Sequence, residues 1–307
     1  MTQEQYVRNL CVPQGRIDVV LDTDAYNEID DQFAICYMLG NPQKFCLKGI
    51  CAAPFLNSKS ESPGDGMEKS YEEILKLLKL ANKDEYRPLV IKGSESYLAD
   101  EVTPVESDAA VFMAELAGQY TPEKPLYIVA IGAITNVASA ILKNPEMKEN
   151  CVVVWLGGHA QHMPDPACEF NMRQDIAAAR VVFGCGIPVV QLPCRGVVDR
   201  FATSRYELLH WLKGVSPLCD YLCDNTIDHM EARAPGKPWS KPLWDVTAIG
   251  WLLNENAAFM KDIRIPSPIV EYDLQYRCDP NRHMICYVNQ IERDALMEDL
   301  LRVLKAF

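Results

Sequence analysis

The sequence predicts an α/β fold: a single domain in which a mostly parallel central sheet is flanked by helices, as in Rossmann-like proteins. Short apolar runs alternate with amphipathic segments through the first two-thirds of the 307 residues, which is the pattern of strand-helix units. Hydrophobic residues make up 49% of the chain and charged residues 23%, so neither disorder nor a fibrous repeat is indicated. No segment resembles an interdomain linker, and we predict one domain over residues 1–307.

The elements follow from apolar periodicity along the chain. The predicted strands of the first part are Ile17–Leu21, Phe45–Ala53, Pro88–Lys92, Leu126–Ile131, Cys151–Leu156 and Pro188–Leu192. The helices between them are predicted at Asp31–Leu39, Met67–Ala81, Asp108–Gln119, Thr135–Leu142 and Asp175–Phe183. From about residue 195 the chain becomes more helical, with helices at Ser204–Leu212, Pro217–Glu231, Asp245–Leu253 and Asp294–Lys305, and strands near Ile269–Leu274 and Met284–Val288.

Charge and composition limit the partners. The formal net charge of −12 repels phosphate backbones, so we do not expect nucleic acid as a partner. The first residues lack the basic start and apolar run of a signal peptide, and no apolar stretch approaches the roughly 18 residues of a membrane span. We therefore expect a cytoplasmic protein with no membrane partner, in which the 12 scattered cysteines are reduced thiols.

Carboxylates crowd the end of the first predicted strand, Ile17–Leu21. The acidic residues that follow it are Asp22, Asp24, Glu28, Asp30 and Asp31. Like charges so close raise one another's pKa values unless a cation or several donors intervene. A hard divalent ion such as Ca²⁺ or Mg²⁺ suits this all-oxygen cluster. A simpler explanation, that Asp30 or Asp31 caps the following helix, accounts for one carboxylate and leaves the others unexplained.

The spacing of these aspartates resembles the first motif of the inosine-uridine preferring nucleoside hydrolases, Asp-x-Asp-Pro-Gly-x-Asp-Asp. Here the motif is Asp22-Thr23-Asp24 followed by Asp30-Asp31, with two extra residues and no Pro-Gly. Further segments resemble the family in the same order. They are Gly49-Ile50-Cys51 with Asn57, Ile131-Gly132-Ala133-Ile134-Thr135-Asn136, Gly157-Gly158 with Glu169-Phe170-Asn171 and Asp175, and Trp244-Asp245.

The resemblance implies the same fold and hydrolysis of the N-glycosidic bond of ribonucleosides, with Ca²⁺ as cofactor. It implies that Asp24, Asp31 and Asp245 ligate the ion through carboxylates and Ile131 through its backbone carbonyl. Calcium accepts six to eight oxygens, which leaves room for water and two sugar hydroxyls. A carboxylate beside that water takes its proton during attack, and Asp24 is the candidate base.

The remaining sugar contacts are also inferred from the resemblance. Asp30 would accept a hydrogen bond from the 2′-hydroxyl, and Asn57 would orient the water or the sugar. Glu169 and Asn171 would bind the 5′- and 3′-hydroxyls, and we expect their side chains to lie two apart on one extended face. A solvated loop charge at Glu169 and a turn or cap role for Asn171 are the alternatives.

The residues expected to contact the leaving base are those in which the sequence differs most from the family. Many relatives have a histidine before the late aspartate, as the acid for the leaving base; here that position is Trp244, whose ring can stack on a nucleobase. His229 is the best candidate for a side-chain acid in contact with the base. A family asparagine expected six residues before Glu169 falls on Met163, so that contact is lost or replaced, by His162 or Asp165.

Two other functions stay open at this stage. A haloacid dehalogenase-type phosphohydrolase also begins with a strand and Asp-x-Asp, but the residues after Asp24 and the later lysine of that class do not match. A non-catalytic ribose-binding or nucleoside-binding module would keep the fold and lose turnover. The resemblance further implies a homodimer or homotetramer.

Overall fold

The computed structural model describes all residues, 1–307, and its centre is an eight-stranded sheet in the order β3-β2-β1-β4-β5-β6-β12-β9. All neighbours pair in parallel except β12 and β9, which are antiparallel. The strands of this sheet are β1 Ile17–Thr23, β2 Phe45–Ala52, β3 Val90–Lys92, β4 Leu126–Ala130, β5 Cys151–Leu156, β6 Val189–Leu192, β9 Met260–Pro266 and β12 Met284–Ile291. Two small ribbons pair β7 Ala202–Thr203 with β8 Lys241–Pro242, and β10 Ile269–Val270 with β11 Tyr276–Arg277.

Twelve helices cover the sheet. They are α1 Gln3–Asn9, α2 Asp30–Leu39, α3 Pro63–Leu80, α4 Asp108–Ala117, α5 Thr135–Lys143, α6 Met147–Asn150, α7 Phe170–Gln174, α8 Ile176–Gly184, α9 Arg205–Trp211, α10 Pro217–Arg233, α11 Val246–Leu252 and α12 Arg293–Leu304. None of these helices is long and apolar enough to cross a lipid bilayer. The predicted fold, a mostly parallel sheet flanked by helices, is confirmed.

The sheet is buried on both faces, as its continuous apolar strands require. Along β1, Val19 and Leu21 belong to one core cluster and Val20 to another, because successive side chains of a strand point to opposite faces. Helices α2, α3, α10, α11 and α12 contribute to the first cluster, and α4, α5 and α8 to the second. The C-terminal strand β12 lies in the same sheet as β1, so the more helical region after residue 195 shares this fold.

The strand order reverses beside β1, and this reversal positions the site. From β1 the chain adds β2 and β3 on one side, and then β4, β5 and β6 on the other. In open α/β sheets a cleft forms where the connections diverge in this way, at the carboxyl ends of the strands. The ends of β1 and β4 are adjacent there, and Ile131 N donates to Asp22 O at 2.8 Å.

Several element predictions were wrong or inexact. Strand β9 was missed because its charged residues suit an exposed sheet edge and hide the apolar pattern. The strand predicted at Ile269–Leu274 is limited to Ile269–Val270, since the chain turns after it and Leu274 has a φ of 68°. Helix α3 begins at Pro63 rather than Met67, because Ser62 caps it through a bond from Asp65 N.

Candidate functional site

A cleft of about 550 Å³ opens at the carboxyl edge of the sheet. The motif-bearing segments after β1, β2, β4 and β5 all contribute to its walls, together with the segment before α11. Among its lining residues are Asp24, Asp30 and Asp31 after β1, Asn57 after β2, Ile131 after β4, Glu169 and Asn171 after β5, and Trp244 and Asp245 before α11. Every site residue predicted from the sequence lines this cleft except His229.

Three aspartates form the most compact acidic group. One carboxylate oxygen from each of Asp30, Asp31 and Asp245 lies within 4.8 Å of the others, and all three side chains are buried. Asp31 Oδ1 accepts a hydrogen bond from Thr23 Oγ1 at 2.6 Å. Neither carboxylate of the Asp30-Asp31 pair caps α2, whose N-cap is Ile29 without a side-chain bond. A capping hydrogen bond from either aspartate is therefore wrong, although both lie in the first turn of α2, where a carboxylate is favourable.

Asp24 lies beside this group and has no hydrogen-bond partner on either carboxylate oxygen, although it is only 1% exposed. Burial raises its pKa well above the ordinary value, and the nearby charges of Asp31 and Asp30 raise it further. The turn after β4 approaches it closely, since a Cβ atom added at Gly132 would lie 3.1 Å from Asp24 Cγ. A larger residue at position 132 would displace the one carboxylate that nothing in the protein satisfies.

The other carboxylates are also destabilised in their charged forms. Burial, followed by the charge of Asp30, raises the pKa of Asp31 to about 7. Burial and the charges of Asp30, Asp31 and Asp24 raise the pKa of Asp245 well above its ordinary value. Burial also raises the pKa of Asp22 to about 7, although its Oδ1 accepts from Asn136 Nδ2 at 2.8 Å and it does not line the cleft. The cleft thus brings together Asp24, Asp31 and Asp245, three carboxylates without an ion pair to a protein cation.

These residues fit a hard divalent cation. The donors of the acidic group are carboxylate oxygens, joined by the Ile131 carbonyl, and the group contains no imidazole or thiol. Two unpartnered oxygens on Asp24 and three converging carboxylates are the kind of arrangement that a cation stabilises. Asp24, Asp31, Asp245 and the Ile131 carbonyl are the residues that would hold it.

Asn171 joins two strand ends beneath the cleft. Its Nδ2 donates to Ile131 O and to Leu156 O, each at 3.1 Å. The amide therefore fixes the orientation of the Ile131 carbonyl, which was predicted from the sequence as a metal ligand. Because the carbonyls of Ile131, directly after β4, and Leu156, at the end of β5, share this donor, the two strand ends cannot separate without breaking one of these bonds.

Glu169 is anchored by backbone donors. It is the N-cap of α7 and accepts from Asn171 N at 2.9 Å, Met172 N at 3.0 Å and Gly158 N at 3.0 Å. The expected extended face is wrong, because α7 begins directly after Glu169 and Asn171 lies in its first turn. A solvated loop charge is equally wrong, since Glu169 is 5% exposed.

Asn57 reaches the cleft from the loop after β2. Its Nδ2 donates to Asn27 Oδ1 at 2.6 Å, and its Oδ1 accepts from Lys59 N at 2.8 Å. Asn27 is one of the residues between the two halves of the first motif, and its own N–H donates to Asp24 O at 2.7 Å. The segment with two extra residues therefore links Asn57 to Asp24.

Trp244 forms one wall of the cleft, directly before Asp245. Its indole Nε1 is buried without a hydrogen-bond partner, and the ammonium of Lys241 lies 4.0 Å from the centroid of its ring. The side chain is half-buried: it lines the cleft and also packs against the first core cluster.

His229 does not line the acidic cleft. It lies on α10, in a neighbouring cavity of about 370 Å³ that shares Glu28, Ser58 and Arg233 with the main cleft. Burial and the charge of Arg233 lower the pKa of His229 to about 4, so the imidazole is neutral near pH 7. Its Nε2 is buried and unpartnered. The structure separates His229 from the aspartates because the ion pair of Glu28 with Arg233, at 3.0 Å, stands between the two cavities.

Sequence reasoning missed Lys241. Its side chain is 3% exposed and its Nζ lies 3.0 Å from Asp30 Oδ1, with a second ion pair to Glu28. The only local signal was a lysine four residues before the motif aspartate Asp245, within a proline-rich loop, where a solvated charge is the usual outcome. The pairing of β8 with β7, which carries Lys241 inward, has no pattern that two residues can display.

The sequence matches the family described as inosine-uridine preferring nucleoside hydrolase over residues 19–285. A pyrimidine-specific ribonucleoside hydrolase, RihA of Escherichia coli O1:K1 / APEC, is 27% identical over 263 residues, which cover 77% of this chain and 79% of the relative. The protein of the same name from Escherichia coli O9:H4 (strain HS) is 26% identical over 266 residues, with the same two coverages.

Solved structures agree with the fold. The plant nucleoside hydrolase PpNRh1 superposes with a TM-score of 0.75 at 18% identity, covering 95% of this chain and 99% of its own. A purine-preferring ribonucleoside hydrolase from Gardnerella vaginalis superposes with a TM-score of 0.74 at 18% identity, covering 94% and 98%. The family match spans most of the chain and includes the residues of the cleft, so the resemblance found in the sequence is confirmed. The chain belongs to the inosine-uridine preferring nucleoside hydrolase family, whose members are N-glycosyl hydrolases.

Proposed function

We propose that this chain hydrolyses the N-glycosidic bond of ribonucleosides to ribose and free base, with Ca²⁺ as its cofactor. The observation that carries the proposal is Asp24, a buried carboxylate with two unpartnered oxygens beside three converging aspartates. In a nucleoside hydrolase, such uncompensated charge suits a hard cation and a cationic transition state. The all-oxygen donor set favours calcium or magnesium over zinc, and the family resemblance selects calcium.

Asp24 is the proposed general base. A calcium ion held by Asp24, Asp31, Asp245 and the Ile131 carbonyl would lower the pKa of the attacking water and fix the sugar hydroxyls. A bound cation would favour the charged form of the Asp24 carboxylate, which could then accept a proton from the adjacent water. As water attacks the anomeric carbon, Asp24 takes its proton, the C–N bond breaks and the electron pair leaves with the base.

The sugar-binding roles are proposed on the same basis. Asp30 accepts from the 2′-hydroxyl, Asn57 orients the water or the sugar, and Glu169 and Asn171 bind the 5′- and 3′-hydroxyls. Glu169 and Asn171 are held by backbone partners, which supports a rigid sugar site because preformed contacts need no ordering when the substrate binds. The surrounding carboxylates would stabilise the oxocarbenium-like transition state electrostatically.

For the leaving base we propose stacking on Trp244. The half-buried indole lines the cleft next to Asp245, and an aromatic face stabilises a stacked nucleobase without regard to its identity. A neutral His229 in the neighbouring cavity is not in a form to protonate the base directly. Its contact with the base stays a prediction, which requires the substrate to extend past Glu28 and Arg233.

The test is release of reducing sugar from a panel of purine and pyrimidine ribosides. We expect activity that a chelator abolishes and that added Ca²⁺ restores. Binding of ribosides without any sugar release would favour the non-catalytic module instead. The phosphohydrolase alternative has lost its support, because the chain belongs to another family, and p-nitrophenyl phosphate serves as the negative control.

A further inference from the structure

Lys241 is a buried cation at the edge of an acidic site. It lies on the two-residue strand β8, which pairs with β7 so that Thr203 faces Lys241. Its side chain is 3% exposed, and a lysine is rarely so buried unless it is paired. Lys241 does not itself line the cleft, so it acts from behind the wall that the substrate contacts.

The ammonium of Lys241 has three neighbours. Nζ lies 3.0 Å from Asp30 Oδ1 and is also paired with the Glu28 carboxylate. It lies 4.0 Å from the centroid of the Trp244 ring. One cation therefore contacts the aspartate assigned to the sugar and the tryptophan assigned to the base.

Glu28 keeps Lys241 in this place. It belongs to the segment between Asp24 and Asp30, which is two residues longer than the family motif that the sequence resembles. Burial raises its pKa, but the charges of Lys241 and Arg233 outweigh that effect and lower the pKa to about 2. Glu28 is thus charged at every ordinary pH. Its carboxylate lies between the positive charges of Lys241 and Arg233 and pairs with both.

The position of Asp30 depends on this lysine. Apart from Lys241, its carboxylate has one further contact, a long 3.4 Å bond from Asp245 N to Oδ2. The nearby aspartates Asp31 and Asp245 repel it. A carboxylate with one weak neutral contact among like charges would be free to rotate, whereas the charge-assisted bond from Lys241 Nζ to Oδ1 fixes its direction.

We propose that Lys241 is a positioning residue, which orients Asp30 toward the sugar 2′-hydroxyl and thereby selects ribosides over 2′-deoxyribosides. This inference rests on the proposed function of Asp30. Lys241 also packs against the Trp244 ring, so the same ammonium supports the side of the cleft that is assigned to the base. Among the sugar hydroxyls, the 2′-hydroxyl is the one whose recognition should depend on Lys241, because Asp30 is the sugar-binding residue that Lys241 contacts.

Lys241→Met keeps the length of the side chain and removes the ammonium. We expect the kcat/KM for a riboside to fall about 10- to 100-fold, the size of one charge-assisted hydrogen bond. The inhibition constant of the matching 2′-deoxynucleoside, which can be measured without turnover, should change less than threefold. The preference of the protein for the riboside over the 2′-deoxynucleoside would then be largely lost. An equal loss of affinity for both compounds, or no loss, would overturn the proposal.

Further variants separate positioning from folding. Lys241→Met combined with Glu28→Gln removes the unpaired Glu28 charge that the single variant leaves behind, and it should show the same loss of preference. Lys241→Arg, which restores a cation, should recover part of it. Lys237→Met, on an exposed lysine of the same loop without an ion pair, is the matched control and should behave as the wild type. Recovery of the preference in the double variant would indicate that disturbed folding caused the loss.

Failure of the proposed function gives a different result. If the wild-type protein releases sugar from no riboside, calorimetry with ribose and 2-deoxyribose in the presence of Ca²⁺ still tests Lys241. A preference for ribose that Lys241→Met removes would support the positioning role in a binding protein. Equal affinity of the wild type for both sugars would contradict it.

Discussion

Replacing Asp24 by alanine should stabilise the metal-free protein while destroying its activity. Asp24 is 1% exposed and neither carboxylate oxygen has a partner, so in the absence of a cation it contributes an unsatisfied buried group. Removing such a group gains about 1–3 kcal/mol. For a chain of this length we expect an increase of about 2–5 °C in the melting temperature in chelator, from the usual entropy of unfolding per residue.

In excess calcium, the Asp24→Ala variant should instead have a lower melting temperature than the wild type. The wild type gains stability from the bound ion, whereas Asp24→Ala has lost a ligand and gains less. Loss of a general base alone costs about 10²–10⁴ in rate, so turnover of a riboside should fall by at least that factor. Thermal unfolding with chelator and with a calcium series, together with the sugar-release assay, measures all three effects.

The exposed, unpaired Asp228 on α10 provides the control, and Asp228→Ala should leave stability, calcium response and rate unchanged. A lower melting temperature for Asp24→Ala in chelator would refute the reasoning, because Asp24 would then support the fold rather than oppose it. An unchanged rate would exclude its role as base.

Two further predictions concern the base wall and pH. Trp244→Ala should reduce the kcat/KM for purine nucleosides about 10-fold, the loss of one stacking contact, and affect activated ribosides with good leaving groups less; equal losses for both would indicate packing instead. The raised pKa values of Asp22 and Asp31, both about 7, mean that the metal-free fold retains protons that the unfolded chain releases near pH 4. The stability that these protons provide is present below pH 4 and is lost as the pH rises through about 7. Buried histidines of lowered pKa, such as His229, have the opposite effect on stability, but only below pH 6.5. The melting temperature in chelator should therefore fall between pH 6.5 and 8. Unfolding scans over that interval check it, and a rise would count against the buried aspartates as the cause.

The sequence was most informative where the chemistry follows directly from a strand. Asp24 and Asn171 follow predicted strands and Ile131 ends one, all in one parallel sheet, and parallel strands end at a common edge. Their convergence could therefore be predicted without knowing the strand order. The order itself could not, because nothing in an apolar strand specifies its neighbour.

The sequence was least informative where charge and local pattern conflict. Strand β9 alternates charged and apolar residues at the sheet edge, and Lys241 is a buried lysine in a proline-rich loop. In both cases tertiary contacts decide: pairing with β12 for the strand, and ion pairs with Glu28 and Asp30 for the lysine. His229 was predicted to contact the base because it precedes that loop in the sequence, whereas in the structure the Glu28–Arg233 ion pair separates it from the aspartates.

The two extra residues of the first motif connect these observations. A Pro-Gly turn offers few side-chain contacts, whereas the longer segment here supplies Asn27 to Asn57 and Glu28 to Lys241 and Arg233. Both partners of Glu28 come from the C-terminal part of the chain, where a base would meet the protein. A change in that segment should therefore alter sugar recognition through Asn57 and base recognition through Trp244 together, which a shorter turn would leave independent.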